Sequence, residues 1–517
     1  MRLVSQHKPG LSHINQASDL DFHQIYKRKD YPHFELGDPD YARKIKEDSS
    51  LVEKHSFFPF IEKEKVRRKF RRKGEIKRPP KKRLLRRAST NDSFIFKLYR
   101  EKLSLLYENL IREYDLDQSV LAYRKIPSST NNRNKSNIDF AYEAFIKINK
   151  MDECVVIALD IKSFFENIPH SVIKKMWKKL LNSENLPKDH YQVYKNITSY
   201  SYIKEEEIYR GLNLLKNYKD FSGSMYQGLP PYKERKKKIC SLDEYRQKIV
   251  PLVKKNKEKH GIPQGAPLSD LIANFSLFEF DLKMKNLLEN EGGEYFRYAD
   301  DLFLIIPTQS EKFFCKTSKW EDAISKIIDE ELKNIGPMLS LSREKTSCFK
   351  YEKVKGSTSQ IATNLNPNHK KDKLGISYLG FRYDGKRIYI KNSSISNFQR
   401  KLNRKIHRWC RGYIKNNPSF SYEEVKSNFP YFNVMRSEIK FPKKSKKNSA
   451  AQGKAGSFYK YAQQAEKIFS LKGSDIESRV LNQLRALSKI NCLERRFIRI
   501  LKREYDLFHK NVNVFPL

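Results

Sequence analysis

The sequence predicts an α+β protein in which a small antiparallel sheet carries acidic chemistry and much of the remaining chain is helical. Three observations lead there. Tyr298-Ala299-Asp300-Asp301 lies between Glu294-Tyr295-Phe296-Arg297 and Leu302-Phe303-Leu304-Ile305-Ile306. Aromatic and β-branched residues on both sides of a tight polar step predict a β-hairpin. Val155-Val156-Ile157-Ala158-Leu159-Asp160 is a continuous apolar run ending in an acid, the pattern of a buried strand. Residues 91–114, and the chain from Ser394 onward, repeat apolar positions at helical spacing.

Adjacent acids at the tip of a buried hairpin repel each other. At ~4 Å and an effective dielectric of ~20 the cost is about 4 kcal/mol. No Lys or Arg lies inside the turn, so a divalent cation is the natural compensation. Magnesium takes hard carboxylate oxygens and leaves positions open for phosphates. Asp160 supplies a third carboxylate, completing a triad able to hold two ions.

Composition narrows the class. At 517 residues the chain exceeds one ordinary core, and two or three packed units are expected. A formal charge of +42 calls for a polyanionic partner, with nucleic acid the default. The absence of a run of ~18 apolar residues or a signal peptide predicts a cytoplasmic protein without a membrane partner. Six scattered cysteines without a Cys-x-x-Cys pair argue against a zinc ribbon or a disulfide framework.

Taken in order, residues 1–60 form a polar extension, either an accessory arm or a solvated segment. From Lys65 to Arg87 basic residues are dense, but Gly74, Pro79-Pro80, Ile76, Leu84 and Leu85 favour folded basic strands over a loose tail. A helix over 91–114 would take Asn91 or Asp92 as its cap, and a second runs from Asp139 to Ile148. His170, near a helix start, is expected to be structural. Residues 171–256 read as an insertion, and its cluster Lys233–Lys238 either touches nucleic acid or is solvated. Gly261–Ser269 is a rigid Gly/Pro loop before a single apolar helix, Asp270–Lys285. Trp320–Lys333 is helical, Ile376–Tyr389 a hairpin with a turn at Asp384-Gly385, and 441–456 a mobile loop.

Five of these stretches stand in a recognisable order: the Asp160 strand, "GIPQGAPLS", "YADD", "LSREKT" and "YLGF". Between about residues 70 and 390 the chain resembles bacterial reverse transcriptases of the group II intron-like branch. The wording "AYRK" and "DIKSFFENIPH" is most similar to their antiviral, abortive-infection group. Upstream, "KKRLLRRASTNDS" and "LAYRKI" resemble the fingers motifs. Some family features differ: Arg86-Arg87-Ala88 replaces a Gly-Ile-Pro step, and the segment before Gly261 is longer. Neither an HNH-like tail nor the retron signatures are present.

The resemblance implies a right-hand polymerase: an N-terminal extension (1–60), fingers (61–150), palm (151–390) and a helical C-terminal thumb (391–517). It implies RNA-directed DNA synthesis with two Mg²⁺ ions, or Mn²⁺ in their place. Asp160, Asp300 and Asp301 would be catalytic and metal-holding, with the carbonyl of Ile161 a further ligand. Arg83, Arg124, Phe165, Gln264, Gly265 and Lys345 would meet the nucleotide, Phe165 excluding a ribose 2′-hydroxyl unless it is simply core. Lys345 would protonate or merely contact pyrophosphate. Lys82, Tyr298, Tyr378, Leu379, Gly380 and Phe381 would carry primer and template. Partners would be an RNA template (a structured non-coding RNA in an antiphage role), dNTPs and the DNA product, with homo-oligomerisation left open. The alternatives are an intron- or retron-like enzyme without a defence role, an RNA-dependent RNA polymerase and, further off, a non-enzymatic RNA-binding scaffold.

Overall fold

The run Leu302–Ile306 determines where the core divides. Leu302, Leu304 and Ile306 face one buried cluster, while Phe303 and Ile305 face another. A strand apolar on both faces must be covered on both. The computed structural model describes residues 21–67, 81–128, 133–219, 224–310, 320–366, 374–417, 423, 424, 427, 458–471, 475–488 and 490–512.

Strand β1 (Phe60–Arg67) pairs antiparallel with β2 (Lys81–Arg87), Lys65 opposite Arg83, so the basic stretch is strand at both ends. Its middle, 68–80, lies outside the described residues. β3 (Glu153–Asp160) is the buried strand expected. β4 (Ser201–Lys204) runs parallel to β1, drawing part of the 171–256 segment into the first sheet. β5 (Lys216–Lys219) and β6 (Met225–Gly228) form a separate ribbon, and β7 (Lys254–Lys255) pairs with β4.

β8 (Glu294–Tyr298), β9 (Asp301–Pro307), β10 (Ser347–Lys353) and β11 (Gln360–Asn364) join β3 in a five-stranded antiparallel sheet, order β11-β10-β3-β9-β8. β12 (Ile376–Tyr378), β13 (Phe381–Tyr383) and β14 (Arg387–Ile390), with β15 (Glu477–Ser478) parallel to β14, make a third sheet. One face of the five-stranded sheet packs on helix residues such as Phe94, Trp177, Phe275 and Phe278. The other packs on Phe140 and Phe145, the β12–β14 sheet, and Ala462 and Phe469. The predicted α+β class, with an antiparallel central sheet and a helical C-terminal part, is found.

Several local expectations are corrected. The Thr90–Glu113 helix is capped by Ser89, whose hydroxyl accepts from Asp92 N at 3.2 Å, and not by Asn91 or Asp92. Asp92 is instead bonded to His55 Nε2 at 2.8 Å and Phe58 N at 3.1 Å. Residues 21–60 are thereby stapled to this helix and are not a free arm. The helix expected over Asp270–Lys285 breaks at Leu277 into Ser269–Ser276 and Phe278–Glu289. Ser276 Oγ donates back to Ile272 O at 2.7 Å, a bond that bends helices. The helices Trp320–Ile335, Asn392–Asn416, Phe458–Phe469, Val480–Ser488 and Ile490–Val512 follow. The expected loop 441–456 lies outside the described residues.

The cluster Lys233–Lys238 is not wholly a surface feature. Arg235 turns inward to the buried Glu205 at 2.9 Å, where Lys63 (3.4 Å) and Arg87 (3.7 Å) also converge. One carboxylate thus ties the 171–256 segment to β1 and β2. Removing it strands three cations around a buried site, so Glu205→Ala is expected to cost about 3–5 kcal/mol, read from urea unfolding.

Candidate active site

The hairpin closes as the sequence predicts. Tyr298 pairs with Asp301, leaving Ala299 and Asp300 as a two-residue turn. Ala299 adopts φ 60°, a left-handed conformation that glycine normally supplies and that costs other residues about 1–2 kcal/mol. β3 lies antiparallel to β9 with Asp160 directly opposite Asp301. Ile161 N donates to the Asp300 carbonyl at 2.9 Å. Acids from two distant parts of the chain therefore meet at one end of the sheet.

The turn rests on a buried ion pair. Arg297 and Asp281 are both fully buried, and Arg297 Nε and Nη2 each reach an Asp281 oxygen at 2.6 Å. Arg297 Nη1 donates to Asn274 Oδ1 and to the Ala299 carbonyl, both at 3.2 Å. Tyr295 Oη donates to Asp281 at 2.8 Å.

The acids are not neutralised among themselves. Burial first, then the charge of Asp160, raises the Asp300 carboxyl above its ordinary range, while Lys345 and Arg83 pull it down. Asp301 has side-chain area open to solvent. Even so, neighbouring atoms and then Asp300 and Asp160 push it up to about 6, against Lys345 and Lys391. Asp160 Oδ2 accepts from Ser342 Oγ at 3.0 Å and from the Lys345 ammonium.

Asp300 and Asp301, raised by burial and then by like charge, stand beside Asp160, which holds an ammonium, and hard carboxylates so placed have the donor chemistry that suits a divalent cation. Their spacing does not form a closed cage: among the described residues no three His, Cys, Asp or Glu side chains stand at metal-ligating distance.

The other sequence-predicted residues divide into two groups. Arg83 is exposed on β2, close enough to act on Asp300. Lys82 lies beside it, paired with Glu64 at 3.0 Å. Phe165 is half-buried; its carbonyl accepts from Ile262 N at 2.9 Å, and its ring packs edge-on to Phe164. Gln264 O accepts from Arg86 N at 2.8 Å, and the exposed Gly265 passes so close that a Cβ would stand 2.8 Å from the Arg86 carbonyl. His170 Nε2 donates to Gly261 O at 2.8 Å, the structural role expected.

Arg124 is not brought to the site. It forms a two-pronged pair with Glu108 at 2.9 Å and donates to the carbonyls of Asp117 and Val120. Its side chain is 4% exposed. Tyr378 and Phe381 are core, Tyr378 stacking on Phe303 at 4.2 Å, so only the Leu379-Gly380 turn between them is left to meet a strand. Tyr298 packs beside Phe140.

Sequence reasoning missed Tyr123, Lys391, Ser342 and the Arg297–Asp281 support. An arginine within an otherwise apolar strand, and an aspartate within an apolar helix, were the available signals for the last of these.

No family model and no curated protein matches the chain. Among solved structures, it is similar to telomerase from Candida tropicalis truncated from its C-terminal domain. That match has 11% identity, TM-score 0.35, and covers 67% of this chain and 57% of that one. Telomerase from Candida albicans in complex with a TWJ fragment of telomeric RNA gives 12% identity and TM-score 0.32, covering 75% and 58%. The RNA-dependent RNA polymerase of a human picorbirnavirus, an insertion-loop deletion mutant, gives 9% identity and TM-score 0.33, covering 69% and 62%. The chain thus spans less than two thirds of each of these structures. Likeness at these TM-scores leaves the chemistry of the site to its own side chains.

The raised carboxyl has a signed consequence. The folded chain holds the Asp301 proton more tightly than the unfolded chain, whose value is near 3.8. Its contribution to stability is full below about pH 4 and is lost as pH rises through about 6. With a chelator present, thermal unfolding is expected to favour Asp301→Asn progressively over the wild type across that window. A pH-independent difference would mean the carboxyl is not raised.

Proposed function

We propose that the chain is a reverse transcriptase: an RNA-directed DNA polymerase that extends a primer by phosphoryl transfer at the end of the β3–β9–β8 sheet. The observation that carries this reading is the register, with Asp160 opposite Asp301 and Ile161 N bonded to the Asp300 carbonyl. Acids converging from two strands beside a tight turn, in a chain of charge +42, suit a substrate made of phosphates.

Asp160 and Asp300 would hold magnesium, with Asp301 beside them and the Ile161 carbonyl as a further oxygen. When bound, the metal lowers the pKa of a primer hydroxyl and stabilises charge at the α-phosphate. The protein's own groups do the rest. Arg83 and Lys345 offset triphosphate charge. Ser342 orients the Asp160 carboxylate. Phe165, tied by its carbonyl to Ile262, stands at the edge of the sugar position and excludes a 2′-hydroxyl. The Gln264-Gly265 backbone lines the nascent pair, and the Leu379-Gly380 turn supports the primer. Arg124 has no part in binding.

The regions then read as fingers, palm and thumb, with Arg83 of β2 close enough to act on Asp300. An RNA template follows from the resemblance of the ordered motifs to reverse transcriptases, and an antiphage role from the wording of "AYRK" and "DIKSFFENIPH".

Asp300→Ala combined with Asp301→Ala is expected to reduce magnesium-dependent primer extension by at least ~10³-fold while thermal unfolding stays cooperative. Extension at the wild-type rate would refute the assignment. Phe165→Ala is expected to raise ribonucleotide incorporation about 10-fold or more relative to dNTPs, since the gate is steric. An unchanged ratio would place Phe165 in the core alone and reopen the RNA-polymerase alternative.

A further inference from the structure

Tyr123 follows a short stretch that is tied to the strand leading into the catalytic turn. Val120 bridges Arg297 in parallel; Arg297 N donates to Ser119 O at 2.8 Å, and Leu121 N to Arg297 O at 2.9 Å. Tyr123 follows three residues beyond Val120, close enough to the turn for the charge of Asp300 to act on its phenol.

The chain then turns, and Tyr123 sits at φ 63°, a conformation that bulky side chains rarely adopt. It is held there from both sides. Asn274 Nδ2 grips the Ala122 carbonyl at 2.7 Å, and Arg100 Nη2 the Tyr123 carbonyl at 3.2 Å. Neither donor is free to move: Asn274 is bonded to Arg297, and Arg100 holds Asp270 through Nε and Nη2 at 3.0–3.2 Å.

Tyr123 is 40% exposed and belongs to none of the hydrophobic clusters. Burial of its hydroxyl, then Asp300 and Asp270, pushes the phenol up to about 12, so it stays neutral near the carboxylates. The adjacent Arg124 is locked away against Glu108. A constrained, neutral, half-open aromatic beside a catalytic turn is a surface for an aromatic ligand.

Position on the sheet identifies which part of the ligand. In the order β11-β10-β3-β9-β8, Lys345 lies just before β10 and bonds Asp160 on β3. Lys345, one of the two cations suited to a triphosphate, is therefore on the β3–β10 side of Asp300. Tyr123 flanks β8, the opposite side, which is left to the strand being extended. We propose that Tyr123 is an aromatic contact for the base-paired primer end, a subsite distinct from the triphosphate position. The assignment rests on the polymerase reading.

Glycine suits φ 63°, so Tyr123→Gly removes the ring and keeps the backbone; Tyr123→Phe keeps the ring and removes the hydroxyl. With a fluorescein-labelled RNA–DNA template–primer, anisotropy in magnesium at about 0.2 M salt reads binding while backbone attraction is reduced. Tyr123→Gly is expected to weaken Kd about 10-fold, the scale of one base–aromatic stack. The KM for dNTP should stay within about twofold, and the unfolding temperature should be unchanged or higher. Tyr123→Phe should bind like the wild type.

An unchanged Kd in Tyr123→Gly overturns the proposal. So does a Phe variant as weak as Gly, a rise in dNTP KM without a change in Kd, or a fall in unfolding temperature that accounts for the loss. Binding is read without turnover, so a wild type that binds through Tyr123 but never extends the primer overturns the polymerase reading and leaves the contact standing. Extension with an unchanged Kd does the reverse.

Discussion

The ion pair between Arg297 and Asp281 is the interaction on which the acidic end of the sheet depends. Taking both charges out of water is unfavourable, and only near-ideal geometry with every remaining donor satisfied offsets it. Here the guanidinium meets both carboxylate oxygens at 2.6 Å, and its other contacts go to Asn274 and the Ala299 carbonyl. Burial pushes the Asp281 carboxyl up, while the two-pronged grip of Arg297 and the Tyr295 hydroxyl pull it down. The same guanidinium thus anchors the Phe278–Glu289 helix and pins a turn whose alanine would not by itself adopt a left-handed backbone. Strain of that kind persists only where the surroundings over-determine it.

Charge at the site is balanced from outside the turn. Lys345 and Ser342 come from the segment before β10, Arg83 from β2, and Lys391 from the junction of β14 with the Asn392–Asn416 helix. Each cation belongs to a different element, so the acids feel a field assembled by the whole fold. No sequence window contains that field. Within that field Asp300 and Asp301 are raised, and hard carboxylates of this kind have the donor chemistry that suits a divalent cation.

The parts legible in the sequence were those governed by local periodicity. β3, the β8–β9 hairpin, the Thr90–Glu113 helix and the basic strands follow from apolar spacing and turn residues, which act over a few positions. The exceptions arose where a distant partner intervened. Asp92 gave up the capping position because His55 and Phe58 claimed its oxygens, leaving the cap to Ser89. Arg124 looked like a phosphate ligand until Glu108 and two carbonyls enclosed it, and Tyr123, its unremarked neighbour, follows a stretch bridged to Arg297. The 171–256 segment carries weak periodicity because much of its order comes from pairing with β1 and from the shared carboxylate of Glu205.

The bond from Arg86 N to Gln264 O has a mechanical consequence. Arg86 is itself wedged between Tyr200 and Tyr202, at 4.8 and 5.0 Å, and the glycine after Gln264 admits no clearance against the Arg86 carbonyl. The second strand of the basic hairpin and the loop beneath it are therefore geared together. A displacement of one cannot be absorbed by slack at the other, and whatever shifts the second strand must also shift the Gln264-Gly265 loop.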